Sequence, residues 1–210
     1  VFTTRPDTIY GATYMVVSPE HPYLHEFVNH DCSDAVMSYI ENASNKSELQ
    51  RTDLEKDKTG VFTGSFAINP VSNKKIPIWV ADYVMMGYGT GSIMAVPAHD
   101  KRDYEFAKKY NIEIIKVVLD NSKEDSELYE GEGTSINSDI LNGLTTKDAK
   151  NKIIDFLTLN KIGKKSINYR LKDWLISRQR YWGTPIPIVY DPNGNPHPIP
   201  EKHLPWELPE

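Results

Sequence analysis

The sequence predicts a mixed α/β fold: a curled, β-barrel-like sheet decorated by helices, followed by a short segment of different make-up. Three observations predict it. Short runs rich in β-branched and aromatic residues recur through the first 118 residues, punctuated by glycine and proline. Stretches of 3.6-residue periodicity lie between them, without the regular strand–helix alternation of a Rossmann-type parallel sheet. Near residue 166 the composition turns basic and aromatic, which divides the chain into 1–167 and 168–210.

Taken in order, 1–4 and 12–18 read as strands, with Pro6 and Gly11 as punctuation. From Pro22 to Ser47 the pattern is helical, with Ala35, Val36, Tyr39, Ile40 and Ala43 recurring at helical spacing. VFTG and SFAINP read as short strands, NPVSNKK (69–75) as a turn and IPIWVADYV as a long strand. GYGTG (87–91) is a glycine-rich bend before the strand SIMAV (92–96). Asp100 is placed to cap the helix KRDYEFAKKY, because its carboxylate can take an orphan backbone N–H. EIIKVV (113–118) reads as a further strand. Thr145 and Asp148 have capping-box-like spacing. The helix they open would bury Ala149, Ile153, Ile154 and Leu157 and end at Gly163. DPNGN (191–195) is a hairpin turn.

Hydrophobic residues make up 39% and aromatics 10%, enough for a packed core. The longest apolar runs, MVV (15–17) and IWVA (78–81), are too short to span a membrane. Val1 has no initiator methionine before it, so the sequence reads as a piece of a longer protein. Cys32 is the only cysteine, which excludes an internal disulfide and a CxxC zinc site and fits a reducing cytosol. The net charge of −5 does not attract nucleic acid as a whole. The distribution is uneven: Asp120 to Glu132 holds six acids and one base, and Lys161 to Trp182 seven bases and one acid. The acidic run reads as a solvated loop. The basic run reads first as a solvated face and second as a phosphate contact.

Several stretches carry chemistry, each with a bland reading beside it. GYGTG lacks the spacing of a nucleotide-binding loop and reads as a tight bend that lets backbone approach a ligand. His21 and His25 stand at a metal-binding spacing, with His30 beyond, but Pro22 interrupts them and no HExxH is present. In VPAHDKRD (96–103), His99, Asp100, Lys101, Arg102 and Asp103 enter a helix N-terminus. Asp100 is the natural cap there. Asp103, nearly a turn later, is freer to bind a cation such as a substrate ammonium. TTRPDT (3–8) offers hydroxyls, one cation and one carboxylate, or is a threonine-rich strand with a proline turn. No Ser/Cys–His–Asp set is recognisable, so hydrolysis here would use a positioned water. DWLISRQRYWGTPIP (173–187) suits a nucleic-acid channel or a buried aromatic cluster.

TTRPDTIYGATYMVVSPEHP (3–22), YGTGSIMAVPAHDKRDYEFAKKY (88–110) and LKDWLISRQRYWGTPIP (171–187), with KTGVFTGSFAINPVSNKKIPIWVADYV (58–84) between, resemble the bacterial-type leucyl-tRNA synthetases. The isoleucyl and valyl enzymes share parts of these strings. The aspartate of TTRPDT, the VPAHDKRDYEFA wording and the IWVADYV block resemble the leucyl family more. The resemblance implies that 1–167 is most of an editing domain, its first strands missing, and that 168–210 returns into a class I catalytic domain.

It further implies hydrolysis of the ester of mischarged leucine tRNA carrying isoleucine, valine, norvaline or methionine. By the resemblance, Asp103 binds the substrate α-ammonium, Thr8 blocks the leucine side chain, and Thr3 and Thr4 hold the ester and the water. Arg5 lies near the terminal adenosine. Tyr88, Met94 and Val96 contact pocket and adenosine, flanked by Asp100 and Arg102. The partner implied is leucine tRNA, its 3′-terminal adenosine in the pocket, with the protein a cytoplasmic monomer. No cofactor is implied for editing. ATP and Mg serve the parent enzyme's activation step, whose HIGH and KMSKS signatures are absent from this sequence. Two other readings remain open at this point: a tRNA-binding module inactive in this form, and a metal-dependent hydrolase using His21, His25, His99 and Asp100.

Overall fold

The computed structural model describes residues 1–46, 50–51, 58–87, 89–120, 126–167 and 187–204. The chain divides into two units, Val1–Ser166 and Ile167–Glu210. In the first, β1 (Tyr14–Val17), β2 (Gly60–Ile68), β3 (Lys75–Ala81) and β4 (Ser92–Ala95) form a four-stranded sheet in the order β2-β3-β1-β4. The architecture is mixed α/β, as the sequence predicts. Among the described residues, two further strand pairs form two-stranded sheets. β1 and β3 run parallel, with Met15 opposite Ile78 and Val17 opposite Val80. The other pairings in this sheet are antiparallel.

Both faces of this sheet are covered, which is why β1 reads as a continuous apolar run. On one face Tyr14, Val16, Ala81 and Ala95 pack against Phe106 and Ala107 of α3 (Lys101–Tyr110). The Tyr14 ring stacks on Phe106, centroids 5.2 Å apart. On the other face Val17, Ile78 and Val80 meet Leu24 of α1 (Leu24–Phe27) and Val36 of α2 (Ser33–Ser44), with Tyr39 and Ile40 beside them. Ala35 faces solvent. A third cluster joins Leu141 to Ala149 and Ile153 of α4 (Thr146–Leu159).

Four expectations change in the structure. The helical stretch from Pro22 to Ser47 is broken into α1 and α2 by extended Val28 and Asn29 and a 3-10 turn over His30–Cys32. Residues 1–4 form no strand, and Pro6–Gly11 is a 3-10 helix, η1. Pro6 supplies the helical φ, and the Thr8 amide closes onto the Arg5 carbonyl at 3.1 Å. VFTG and SFAINP join into the single strand β2, whose register shifts between Phe62 and Phe66. Gly64 sits there at φ 81°, and a Cβ would lie 2.6 Å from Asn29. Of EIIKVV only its last residue enters a ladder: β5 (Val118–Leu119) pairs with β6 (Thr134–Ser135). The amides of Val117 and Val118 are taken instead by a histidine ring, as described below.

The caps follow the sequence. Thr145 accepts from the Asp148 amide at 3.3 Å and donates to its carboxylate at 2.8 Å. α4 ends at Leu159, and the left-handed residue beyond it is Lys161 at φ 59°, ahead of Gly163. In the second unit, β7 (Ile188–Tyr190) and β8 (Pro196–Pro198) make the expected hairpin around DPNGN. The Asp191 carboxylate accepts from the Asn193 and Asn195 amides, each at 2.9 Å. Apart from Pro187, the segment 173–187 lies outside the described residues. No helix among the described residues is long and apolar enough to cross a membrane.

Candidate functional site

The two polar motifs meet at one end of the sheet. β1 begins where antiparallel β4 ends: Tyr14 lies opposite Ala95, and the Thr13 amide donates to the Ala95 carbonyl at 3.2 Å. η1, which precedes β1, and the 96–100 loop, which follows β4, therefore share that end. The loop then enters α3.

Asp100 caps α3. It is extended at φ −145°, and Oδ1 accepts from the Arg102 and Asp103 amides at 2.9 and 3.2 Å. Its Oδ2 pairs with Arg102 at 3.1 Å. The next amide, of Lys101, goes to the Glu130 carboxylate at 3.0 Å. The N-terminus of α3 is thus satisfied by its own chain. Asp100→Ala is expected to cost about 1 kcal/mol in a denaturant melt, and Asp100→Asn much less, because the amide oxygen still caps.

Asp103 is 5% exposed. One carboxylate oxygen accepts from the Val96 amide at 2.9 Å, and the other receives the Tyr83 hydroxyl at 3.4 Å. The Tyr14 hydroxyl donates to the Asp103 carbonyl at 3.1 Å. Among the described residues no cationic side chain forms an ion pair with Asp103, since Arg102 turns to Asp100. Burial first, and the Asp100 charge second, push the Asp103 carboxyl up to about 8, against the pull of the Val96 amide, Arg102 and Tyr83.

TTRPDT folds around an ion pair. Arg5 presents Nε and Nη2 to the Asp7 carboxylate at 3.1 and 2.8 Å, and Asp7 is completely buried. This fork fixes the guanidinium in one orientation. The third Arg5 nitrogen, Nη1, donates to the Glu130 carbonyl at 3.4 Å. Thr3 Oγ1 accepts from the Arg5 amide at 3.0 Å, and the Thr8 hydroxyl donates to the Arg5 carbonyl at 2.9 Å. Thr8 is 1% exposed, whereas Thr4 is open to solvent. Met94 is half-buried in β4 opposite Met15, and Val96 is buried. Tyr88 lies outside the described residues. Its bend is tight: Gly89 and Gly91 stand at φ 67° and 68°, and a Cβ on Gly89 would meet Phe2 at 2.8 Å.

One loop ties the motifs together, and spacing alone does not reveal it. Glu130 receives Arg5 on its carbonyl and the Lys101 amide on its carboxylate. The Tyr129 amide donates to the Ala98 carbonyl at 2.9 Å. The His99 ring spans the same gap. Its Nε2 accepts from the Val117 and Val118 amides, each at 3.0 Å, so the ring proton sits on Nδ1 and donates to the Tyr129 carbonyl at 2.6 Å. Burial pushes the His99 pKa down, in keeping with that neutral ring. Both nitrogens are occupied, so His99 is a strut and has no lone pair to offer a metal. Among the described residues no group of three His, Cys, Asp or Glu side chains is placed to hold one.

Asp7, Glu130, Tyr14 and Tyr83 are the residues that sequence reasoning left without a role. Asp7 was visible beside Arg5. The two tyrosines sit in 12–18 and IPIWVADYV, which read as strands with no side chain singled out.

Residues 1–158 match the family model described as "Leucyl-tRNA synthetase, editing domain". Residues 145–203 match the model described as "tRNA synthetases class I (I, L, M and V)". The chain is 56% identical over 210 residues to a leucine–tRNA ligase of Elusimicrobium minutum (strain Pei191), covering all of this chain and 25% of that protein. A crystal structure of the ternary complex of Agrobacterium radiobacter K84 agnB2 LeuRS with tRNA and LeuAMS is similar over 98% of this chain and 22% of its own, at 35% identity and a TM-score of 0.63. The chain therefore spans about a quarter of the length of the relatives it matches. It belongs to the leucyl-tRNA synthetase family, and residues 1–158 match that family's editing-domain model.

Proposed function

We propose that this chain hydrolyses the ester of leucine tRNA mischarged with isoleucine, valine, norvaline or methionine. The observation that carries the reading is Asp103: a buried carboxylate with a raised pKa and no ion-pair partner among the described residues. A carboxylate so placed disfavours its own charge until a cation arrives. The α-ammonium of an aminoacyl ester is such a cation, and an ordinary α-amino group titrates at about 7.7–8.0, close to this carboxyl. Near pH 8, where each group is about half protonated, the paired ions form with little net proton uptake or release, and at lower pH pairing releases the carboxyl proton.

In this reading Asp103 anchors the amino acid. Thr3 and Thr4 hold the ester and the attacking water, and Thr8 closes the space a leucine side chain needs. Arg5, held rigid by Asp7, stands by the terminal adenosine with Tyr88, Met94 and Val96. Asp100 and Arg102 border the pocket through the helix cap. The water oxygen bonds to the carbonyl carbon, the ester C–O bond breaks, and a proton passes to the departing ribose oxygen. A second site is needed because a hydrophobic pocket separates side chains differing by one methylene by only ~1–3 kcal/mol. Amino-acid activation with ATP and Mg belongs to signatures outside this chain.

The test is deacylation of isoleucyl-charged leucine tRNA with and without a chelator. The proposal expects turnover well above spontaneous hydrolysis, unchanged by the chelator and lost in Asp103→Ala. Salt-dependent tRNA binding with no turnover would support a binding module instead. Loss of turnover on chelation would support a metal hydrolase.

A further inference from the structure

We propose that Tyr83 is a positioning residue for Asp103, its hydroxyl holding one carboxylate oxygen so that the other polar positions of that carboxylate face the substrate ammonium. The inference rests on the reading of Asp103 given above and adds a residue to it.

Tyr83 follows β3 in a turn and is 6% exposed, so its hydroxyl reaches Asp103 without competition from bulk water. Its ring lies against Phe106, centroids 5.9 Å apart, and Phe106 stacks in turn on Tyr14. Three parts of the fold thus converge on one residue of α3: β1 through Tyr14, the turn after β3 through Tyr83, and the end of β4 through the Val96 amide. Burial pushes both phenols well above their ordinary range, so they stay protonated donors.

Each carboxylate oxygen has about two lone-pair sites. The Val96 amide and the Tyr83 hydroxyl take one on each oxygen, which fixes the plane of the group and leaves the remainder for an ammonium. The charged groups that act on the carboxylate are Asp100 and Arg102, both at the start of α3. Removing the Tyr83 hydroxyl leaves one buried oxygen with no side-chain donor. The ionised form is then disfavoured further, and the ammonium pair forms only at higher pH.

The experiment follows the Asp103 carboxyl carbon by NMR titration in the wild-type chain, in Tyr83→Phe, and with 3-fluorotyrosine at position 83. Tyr83→Phe is expected to move the Asp103 midpoint up by about one pH unit. The fluorinated phenol is a stronger donor that keeps the native shape, and it should move the midpoint down. In deacylation of isoleucyl-charged tRNA, Tyr83→Phe should lower kcat/KM about tenfold at pH 7 and recover toward wild type by about pH 8.5. A midpoint that moves in neither protein, or a loss of kcat/KM equal at every pH, overturns the proposal. If the midpoint moves but isoleucyl-charged tRNA is not hydrolysed by the wild-type chain, the editing reading fails while the Tyr83–Asp103 contact stands.

Discussion

Asp103→Asn is expected to unfold at a higher temperature than the wild-type chain at pH 8 and to hydrolyse no mischarged tRNA. The folded carboxyl keeps its proton up to about pH 8, whereas the ordinary value for an aspartate is 3.8. Between those values the folded state binds more protons than the unfolded chain, so stability falls as pH rises through that window and levels off above it. Asparagine removes the penalty and keeps the shape. Its oxygen can accept the Val96 amide, and its NH2 can donate to the Tyr83 hydroxyl. The gain is expected to be on the order of a few kcal/mol at pH 8, or about 5–10 °C in Tm, and to vanish near pH 4. Thermal melts at both pH values check it. A residue that weakens the fold at working pH is retained for another reason, and the proposed reason is the substrate ammonium.

Thr8→Ala is expected to open the pocket to leucine, so that leucyl-charged tRNA, which the wild-type chain is expected to leave intact, is hydrolysed within roughly tenfold of the isoleucyl rate. Thr8 suits a wall because it cannot swing aside. It is buried in η1, and its hydroxyl is tied to the Arg5 carbonyl at 2.9 Å. Its methyl position is therefore fixed with respect to Arg5, whose own orientation is set by Asp7. The stability cost is expected to be only about 1 kcal/mol, the net worth of one hydrogen bond. A melt near wild type with new hydrolysis of leucyl-tRNA separates specificity from unfolding.

Much of the architecture was legible because local chemistry and tertiary packing agree. The Asp100 and Thr145 caps, the apolar faces of α2 (Ala35 apart) and α4, and the DPNGN turn form where the sequence places them. The misses occurred where a specific side-chain contact or a proline overrides strand propensity. EIIKVV has strand-forming residues, but His99 takes two of its amides from far along the chain. TTRPDT has strand-forming threonines, but the Arg5–Asp7 fork and Pro6 wind it into η1. Tyr14 and Tyr83 lie in stretches that read as strands, and both are buried in the core. Only the fold reveals that their hydroxyls end on Asp103. The resemblance supplied candidate roles for Thr3, Thr8 and Asp103. What the sequence did not offer is the 129–131 loop that binds TTRPDT to VPAHDKRD.

The account turns on whether one pocket accepts the wrong amino acid and refuses the right one. Side-by-side deacylation of isoleucyl- and leucyl-charged leucine tRNA at pH 8 by wild type, Thr8→Ala and Asp103→Asn measures this directly. The account predicts hydrolysis of isoleucyl-tRNA alone by wild type, of both by Thr8→Ala, and of neither by Asp103→Asn. Equal hydrolysis of the two substrates by wild type, or undiminished hydrolysis by a folded Asp103→Asn, would contradict it.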